Sequence, residues 1–394
     1  MTKLATWTSQ TNQVTKRFLG LANQPEIINL GGGLPAPEVY PVEALSRLAS
    51  EAILFHQETA LGYGAIDGLP ALREAIAQAY STTKLSLTRE NVLIVAGAMQ
   101  ALDLIGKVLV NPGEEIAVQC PTYMGAIDTW LPREPRYRDV RLDSDIPLTD
   151  QTKGVKFLYT VPNFSNPTGV LIGLETRQAL AQFANDSGIP LIEDDPYGTL
   201  YYDSPPLPSI LSLSGEGQPY RGNVIYLGTV SKTIAPGLRV GWVIARPEII
   251  EVLTIAKQGT DLCTSSLSQC IVLAALEKGL IAEQVPTILD LYRERRDTLC
   301  QGLTENLSEW FTWQKPVGGM FVWLNARDQR IDTTELIEYA LDSGVCFSPS
   351  EVFDPVSKRR NGIRLNFTLN PPDALLEATV RMGQATEKYL EDKR

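Results

Sequence analysis

One run of sequence decides the fold of this chain: Asn223-Val-Ile-Tyr-Leu-Gly-Thr-Val-Ser-Lys-Thr-Ile-Ala-Pro-Gly-Leu-Arg-Val-Gly-Trp242. The apolar segment at 224–227 is typical of a buried strand in a parallel sheet, so Lys232 would emerge just beyond the carboxyl end of that strand. Open α/β sheets bind their ligands at this end. Lys232 is therefore a candidate for covalent chemistry, although this stretch alone is more typical of a solvated loop lysine.

From residue 90 onward, strands alternate with helices, which predicts a mostly parallel sheet flanked by helices. The helices are clearest at 98–110 and 174–187, and Gly188 after the second is a typical C-terminal cap. We predict seven strands in one large sheet, near 92–96, 115–120, 136–142, 155–162, 189–194, 224–228 and 239–245.

After Pro247 the pattern changes to long amphipathic helices followed by short strands. The helices are predicted near 264–278, 283–307, 333–343 and 373–391, and the strands near 317–324, 345–348 and 362–368. We therefore expect an α/β fold in which a large domain is joined to a smaller α+β domain. The expected division is an N-terminal arm with part of the small domain (1–45), the large domain (46–280) and the small C-terminal domain (281–394).

The composition is that of an ordinary globular protein, with 44% apolar and 21% charged residues among 394. The net charge of -11 argues against nucleic acid or an anionic membrane as a partner. The five cysteines are scattered and form no Cys-x-x-Cys pair, which favours reduced thiols and a cytoplasmic setting over disulfides or a metal site. No secretory signal opens the chain, and the uncharged run 262–276 is too short to span a bilayer.

His56 is the single histidine of the chain. Ser-His-Asp triads, Cys-His pairs and histidine-dependent metal sites would all have to use it. Its surroundings are those of a helix flank, so we expect an ordinary surface histidine. Proton transfer must then rely on another group.

Polar residues follow two further predicted strands. The strand at 155–162 leads into Val161-Pro-Asn-Phe-Ser-Asn-Pro-Thr-Gly169, where the following proline restricts Asn166 to a defined turn. The strand at 189–194 ends in Glu193, Asp194 and Asp195, with Tyr197 just beyond. Carboxylates near a core must be paired, so we expect at least one to face a cation; a solvated acidic loop is the alternative.

Together these strand ends resemble those of the fold-type I pyridoxal-phosphate enzymes, and within them the class I/II aminotransferases. The resemblance extends from Gly31-Gly-Gly-Leu-Pro-Ala-Pro37 to Gly362-Ile-Arg-Leu-Asn-Phe367. It is greatest to the branch that holds the 2-aminoadipate and kynurenine aminotransferases and the aminotransferase-like domains of MocR-type regulators. Each motif alone is weak, but their order and spacing together are specific.

The resemblance implies pyridoxal 5'-phosphate as the cofactor and a role for each matching residue. Lys232 would form the Schiff base and carry the proton to and from the substrate α-carbon. Asp194 would accept a hydrogen bond from the pyridine N–H, which keeps the ring an electron sink. Tyr197 and Asn166 would donate to the phenolic oxygen of the ring, and Tyr123 would stack on its face.

The resemblance also implies how the phosphate and the substrate are held. The phosphate would lie at the N-terminus of the helix at 98–110, contacted by Ala98, Met99, Thr229, Ser231 and Arg239, and by Tyr63 from a second subunit. Where relatives often have a serine in this cup, the chain has Ala98, which leaves only a backbone N–H. Arg364 would bind the substrate α-carboxylate, with Asn166, Gly33 and Tyr63 also lining the substrate site. No metal is implied.

The leading hypothesis is an aminotransferase that moves an amino group from an L-amino acid to a 2-oxo acid by a ping-pong mechanism, acting as a homodimer with shared active sites. The alternative is another reaction of the same carbanion: elimination, replacement, decarboxylation or oxidation. A non-catalytic MocR-type sensing domain is disfavoured, because those regulators carry a winged helix ahead of this region. A nucleotide-binding protein is disfavoured because no Gly-x-Gly-x-x-Gly turn or Walker loop follows a strand.

The N-terminal arm bears on the substrate. Relatives that act on acidic substrates often carry an arginine fifteen to twenty residues before the Gly-Gly-Leu-Pro motif. Here Arg17 falls close to that position without matching it. A dicarboxylic substrate is therefore not assumed.

Overall fold

The structure is a computed structural model that describes residues 2–9, 24, 26–215 and 219–394. Most of the N-terminal arm, including Arg17, lies outside the described residues. Within the described ranges, no helix combines the length and apolarity needed to cross a membrane. The division into domains at 45/46 and 280/281 stays a prediction.

The described residues form thirteen strands. They are β1 (Ile28–Asn29), β2 (Val92–Val95), β3 (Glu115–Val118), β4 (Arg136–Asp139), β5 (Leu158–Thr160), β6 (Leu191–Asp194), β7 (Val224–Thr229), β8 (Gly241–Ile244), β9 (Phe311–Trp313), β10 (Phe321–Ala326), β11 (Val345–Cys346), β12 (Ser348–Pro349) and β13 (Gly362–Asn366).

The same part of the chain contains thirteen α-helices. They are α1 (Val42–Phe55), α2 (Gln57–Leu61), α3 (Pro70–Tyr80), α4 (Ala98–Leu109), α5 (Met124–Trp130), α6 (Leu148–Gln151), α7 (Leu174–Ser187), α8 (Ile210–Leu213), α9 (Pro247–Gln258), α10 (Ser266–Glu277), α11 (Leu280–Asn306), α12 (Thr333–Asp342) and α13 (Pro372–Asp392).

The large sheet confirms the predicted α/β fold. Its seven strands run in the order β2-β8-β7-β6-β5-β3-β4, and each lies where the sequence predicts a strand. All neighbouring pairs are parallel except those that involve β8. Strands β2, β6 and β8 are buried along their whole length, because helices cover both faces of such a sheet.

The register of the central strands brings the chemistry to one edge. Asp194 at the end of β6 pairs with Leu227 of β7, and β7 continues to Thr229. Because these strands are parallel, the residues that follow both of them meet at the same edge. Asp194, the last residue of β6, and Lys232, in the loop after β7, therefore lie at the same edge of the sheet.

The six predicted helices are confirmed as α4, α7, α10, α11, α12 and α13. The helices that the sequence pattern does not predict include α3 and α9. Both begin with a proline, at Pro70 and Pro247. Proline is accommodated in the first helical turn, where its missing N–H has no partner to lose, so these prolines mark helix starts and not turns.

A second, antiparallel sheet has the strand order β12-β13-β10-β9. Strand β10 begins at Phe321 rather than near residue 317, because Gly319 adopts a positive φ of 72° just before it. Strand β1 pairs in parallel with β11, and Leu30 donates its N–H to the carbonyl of Cys346. This pairing positions the loop at 31–33 beside the carboxyl ends of the strands of the large sheet.

Candidate active site

A cavity of about 260 Å³ opens at the carboxyl ends of β5, β6 and β7. Every site residue predicted from the sequence lines it except Tyr63: Gly33, Ala98, Met99, Tyr123, Asn166, Asp194, Tyr197, Thr229, Ser231, Lys232, Arg239 and Arg364. Met124, Val161, Pro196 and Pro236 complete the wall. These four were not predicted, because nothing in an apolar side chain or a loop proline marks it as facing a ligand.

Lys232 lies in the cavity with its Nζ 2.9 Å from the carbonyl oxygen of Gly33, to which it donates a hydrogen bond. Burial, together with the positive charges of Arg364 and Arg239, lowers the pKa of this amine to about 8. About one tenth of the amine is therefore neutral at pH 7, far more than for an ordinary lysine. Neutral lysine is the form that acts as a nucleophile and as a proton acceptor.

Asp194 is buried at the end of β6, and its two carboxylate oxygens have different surroundings. Oδ2 accepts a hydrogen bond of 2.7 Å from the hydroxyl of Tyr159. Oδ1 is buried and has no hydrogen-bond partner among the described residues. Burial raises the pKa of Asp194 to about 7, against the lowering effect of the bond from Tyr159 and with a smaller contribution from the charge of Asp195. A buried acceptor without a partner needs a donor from outside the chain.

The two neighbouring carboxylates are satisfied by neutral donors. Glu193 accepts the backbone N–H groups of Ile210 and Leu211, at 2.9 and 2.8 Å. Asp195 accepts the hydroxyl of Tyr226 at 2.9 Å and the side-chain amide of Asn163 at 2.8 Å. The expected ion pair to one of these carboxylates is therefore not found within the described ranges.

Arg364 reaches the cavity from β13, and polar contacts orient its guanidinium. Nη1 donates to Oδ1 of Asn166 at 2.7 Å, and Nη2 donates to the carbonyl of Gly31 and to Oγ of Ser348. Burial lowers the pKa of Arg364 to about 10. The group remains a cation at neutral pH, in an environment that favours a neutralising anion.

Two aromatic rings hold the same guanidinium in place. Its central carbon lies 4.5 Å from the ring centre of Phe321 and 4.8 Å from that of Phe353. Phe321 also meets the ring of Tyr197 edge to face at 6.0 Å. A Cβ on Gly33 would lie 3.2 Å from the Phe321 ring, so glycine permits this close approach. Phe321 thus links the arginine, the phenol and the loop that accepts from Lys232.

The N-terminus of α4 forms the far end of the cavity. Gly97 precedes the helix with a φ of 83°, and a Cβ there would lie 2.5 Å from Nη2 of Arg239. That nitrogen donates to the carbonyl of Ala96 at 3.1 Å. The hydroxyls of Thr229 and Ser231 lie 2.8 Å apart and line the same cavity. Free helical N–H groups, a cation and two hydroxyls are together an anion-binding arrangement.

Tyr123 closes one wall of the cavity. Its hydroxyl donates to the sulfur of Met99 at 3.3 Å, and burial raises its pKa to about 12. The phenol of Tyr197 has a raised pKa for the same reason. Both phenols therefore keep their protons at neutral pH.

Two residues lie away from this cavity. Tyr63 is 91% exposed on the loop after α2 and does not line the cavity of its own chain. His56 is exposed at the end of α1, and it too is absent from the lining. The predicted contact of Tyr63 thus requires a second copy of the chain.

Comparison with known proteins gives consistent matches along most of the chain. The family described as Aminotransferase class I and II matches residues 25–380. Aromatic-amino-acid aminotransferase 1 of Thermococcus litoralis is 36% identical over 387 residues, which cover 95% of this chain and 91% of that protein.

Two solved structures share the fold. The kynurenine aminotransferase of Pyrococcus horikoshii, solved with PMP, superposes with a TM-score of 0.90 at 35% identity, over 98% of this chain and 97% of that one. LysN, the alpha-aminoadipate aminotransferase of Thermus thermophilus, complexed with N-(5'-phosphopyridoxyl)-L-leucine, gives a TM-score of 0.88 at 32% identity, over 98% of each chain.

Proposed function

This chain belongs to the class I and II aminotransferases and depends on pyridoxal 5'-phosphate, and on that premise we propose which of its residues carry the transfer of an amino group from an amino acid to a 2-oxo acid. The observation that supports the assignment best is the unpartnered Oδ1 of Asp194 in a residue that lines the cavity. The protonated ring nitrogen of pyridoxal 5'-phosphate is the donor that this oxygen lacks.

The remaining residues fit the same cofactor. When bound, pyridoxal 5'-phosphate supplies an electron-accepting ring that makes the proton on the substrate α-carbon acidic. The start of α4 with Ala98 and Met99, together with Thr229, Ser231 and Arg239, would hold the phosphate. Tyr197 and Asn166 would donate to the phenolic oxygen, and Tyr123 would cover the ring face.

Lys232 is proposed as the proton carrier. Its amine is buried beside the cavity, has a pKa near 8 and can therefore both accept and return a proton near neutral pH. The tyrosines of the cavity hold their protons too tightly for this role, and His56 does not line the cavity. The bond to the Gly33 carbonyl fixes the direction of Nζ while the amine is free.

Arg364 is proposed to bind the α-carboxylate of the substrate. Its planar group is already oriented by Asn166 and by the two phenylalanine rings, so little side-chain entropy is lost on binding. A carboxylate would also offset the burial of its positive charge. Gly33 lines the same region and leaves room for the substrate because it has no side chain.

We further propose that the enzyme is a homodimer. Large apolar side chains are exposed along α1, α2 and the loop that follows: Leu54 (71%), Phe55 (75%), Leu61 (65%) and Tyr63 (91%). A second copy covering this surface would bury them and would bring Tyr63 to the phosphate of its neighbour.

The five cysteines are all free, which supports a cytoplasmic setting.

The dimer is tested with Phe55→Asp, and Ile146→Asp is the matched control because Ile146 is also exposed, at 58%, on a different part of the chain. Phe55→Asp should give monomers in sedimentation velocity and weaker cofactor retention, whereas Ile146→Asp should give neither. Tyr63→Phe should weaken cofactor retention and leave the dimer intact. Unchanged cofactor affinity in Tyr63→Phe contradicts the crossing contact.

The reaction is tested by mixing the purified enzyme with single amino acids. Conversion of the bound cofactor to its amine form, followed by its return with a 2-oxo acid, identifies the donor and the acceptor. Release of ammonia or carbon dioxide without that conversion would assign the enzyme to a different reaction of the same carbanion. Lys232→Ala should lose the half-reaction in either case.

A further inference from the structure

Tyr159 contacts Asp194 but does not itself line the cavity proposed to hold the cofactor. It is fully buried in β5, next to β6, where it pairs with Ile192. Its hydroxyl donates to Oδ2 of Asp194 at 2.7 Å. That bond occupies one carboxylate oxygen and leaves Oδ1 as the one without a partner among the described residues.

The ring of Tyr159 is itself held firmly. Trp130 packs against it edge to face, with ring centres 5.3 Å apart and an interplanar angle of 87°. The indole N–H of Trp130 donates to the carbonyl of Leu102 in α4 at 2.9 Å. Gly106 of the same helix permits this packing, because a Cβ there would lie 2.5 Å from the indole ring.

One packed unit therefore connects two ends of the cavity. Helix α4, whose N-terminus is the proposed phosphate site, fixes Trp130; Trp130 fixes the ring of Tyr159; and Tyr159 fixes one oxygen of Asp194. Each contact is buried, so none of these side chains can turn without opening a void in the core.

We infer that Tyr159 is a positioning residue for Asp194, which orients the carboxylate so that Oδ1 receives the ring N–H of the cofactor and which stabilises the ionised form of that carboxylate. The inference rests on the role proposed above for Asp194. Tyr159 itself touches neither substrate nor cofactor in this scheme.

The charge of Asp194 is the property on which Tyr159 acts. The titratable groups that influence Asp194 are Asp195, Tyr123, Tyr197 and Tyr159. Burial and Asp195 raise the pKa of Asp194, whereas the hydrogen bond from Tyr159 lowers it. Removing that hydroxyl raises the pKa further, so a larger share of Asp194 is neutral at pH 7 and cannot pair with a protonated ring.

The test is Tyr159→Phe, which keeps the ring and removes only the hydroxyl. We expect the dissociation constant of pyridoxal 5'-phosphate from the apoenzyme at pH 7 to rise roughly fivefold, because a pKa one unit above about 7 lowers the ionised fraction of Asp194 from about one half to about one tenth. The acidic limb of the cofactor-binding profile should move up by about one pH unit. Tyr389→Phe is the matched control: Tyr389 is also buried, and its hydroxyl donates to the carbonyl of Arg330, which does not line the cavity.

A second variant decides the question if Tyr159→Phe folds poorly. Placing 3-fluorotyrosine at position 159 keeps ring and hydroxyl and makes the phenol a stronger donor, so the acidic limb should move down. No shift of the binding profile with fluorotyrosine, or with a folded Tyr159→Phe, overturns the inference. Asp194→Asn separates the two proposals. If Asp194→Asn leaves cofactor affinity unchanged, the proposed role of Asp194 itself is wrong. If Asp194→Asn weakens cofactor affinity and Tyr159→Phe does not, only the proposed role of Tyr159 is wrong.

Discussion

Nζ of Lys232 lies 2.9 Å from the carbonyl oxygen of Gly33, 199 residues earlier in the chain. Lys232 follows β7 of the large sheet, whereas Gly33 follows β1, which pairs with β11 in a separate two-stranded sheet. The amine proposed to do the chemistry is thus oriented by a segment that belongs to the other part of the fold. Any shift between the two parts would change the direction of Nζ.

The lowered pKa of Lys232 predicts how fast the apoenzyme captures its cofactor. The neutral amine is the reactive form, and its fraction rises about tenfold per pH unit below the pKa and is constant above it. The rate of covalent capture should therefore increase from about pH 6 and level off above about 8.

Capture is measured by borohydride reduction at timed intervals. Lys232→Ala should give no trapped cofactor, while Lys153→Ala, a change at an exposed lysine, should behave as the wild type. A capture rate that keeps rising about tenfold per pH unit above about pH 9 would contradict the burial argument, because an unperturbed lysine titrates near about 10.4. Trapping in Lys232→Ala would place the covalent bond elsewhere.

Arg364→Lys should separate substrate binding from cofactor binding. A lysine cannot reach Asn166 and the carbonyl of Gly31 while it also offers two parallel N–H groups to a carboxylate. We expect kcat/KM for the amino acid to fall roughly 100-fold, the cost of charge-assisted hydrogen bonds, with cofactor affinity unchanged. Arg360→Lys, at a half-exposed surface ion pair, is the control. An equal loss of cofactor affinity would mean that Arg364 supports the whole site.

The sequence predicts the large sheet well because buried parallel strands appear as continuous apolar runs. Strand β7 is an example: it is buried from Val224 to Gly228, and it places Lys232 at the carboxyl-terminal edge of the large sheet. The candidate site follows from the same pattern together with the family resemblance. The polar residues of the candidate site that directly follow a strand could therefore be predicted from the sequence.

Supporting contacts were not predictable, because they join segments far apart in the chain. Ser348 and Gly31 hold Arg364, and no local pattern pairs three such segments. Tyr159 sits inside an apolar strand, where a tyrosine looks like any core aromatic. Only the register of β5 and β6 and the direction of its hydroxyl reveal its partner.

Asp194 should make the apoenzyme less stable as pH rises. Its folded pKa is raised to about 7, whereas an unfolded aspartate titrates near about 3.9. Between these values the folded state holds a proton that the unfolded state has lost, so the free energy of unfolding falls with increasing pH, by roughly 1 kcal/mol per pH unit. Glu193, with its pKa raised to about 8 by burial, acts in the same direction.

The effect of Asp194 is isolated by comparing variants in urea at about pH 5 and pH 7, between the unfolded and folded pKa values. Asp194→Asn should reduce the fall in the free energy of unfolding between these pH values, because the amide does not titrate. Asp150→Asn, at an exposed position, should leave that fall unchanged. The same decline in the wild type and in Asp194→Asn would show that Asp194 is not protonated in the folded apoenzyme.

Gly97→Ala should damage the phosphate end of the site through one added methyl group. Gly97 has a φ of 83°, and its Cβ would lie 2.5 Å from Nη2 of Arg239. Gly113 provides a matched control, with a φ of 80° and no atom within 4 Å of its added Cβ. Both variants carry the same backbone strain, about 1 kcal/mol or more of unfolding free energy. Only the first displaces the arginine.

The effect of displacing Arg239 is distinguished from that of backbone strain by comparing affinity for pyridoxal 5'-phosphate with affinity for pyridoxal, which lacks the phosphate. Gly97→Ala should weaken binding of the phosphorylated cofactor roughly tenfold, the value of about one charge-assisted hydrogen bond, and should leave pyridoxal binding unchanged. Gly113→Ala should lower the melting temperature by a similar amount and bind both compounds as the wild type does. If Gly97→Ala weakens both equally, the methyl group distorts the site as a whole and Arg239 is not the phosphate ligand. If it weakens neither, the anion site at the start of α4 does not hold the cofactor.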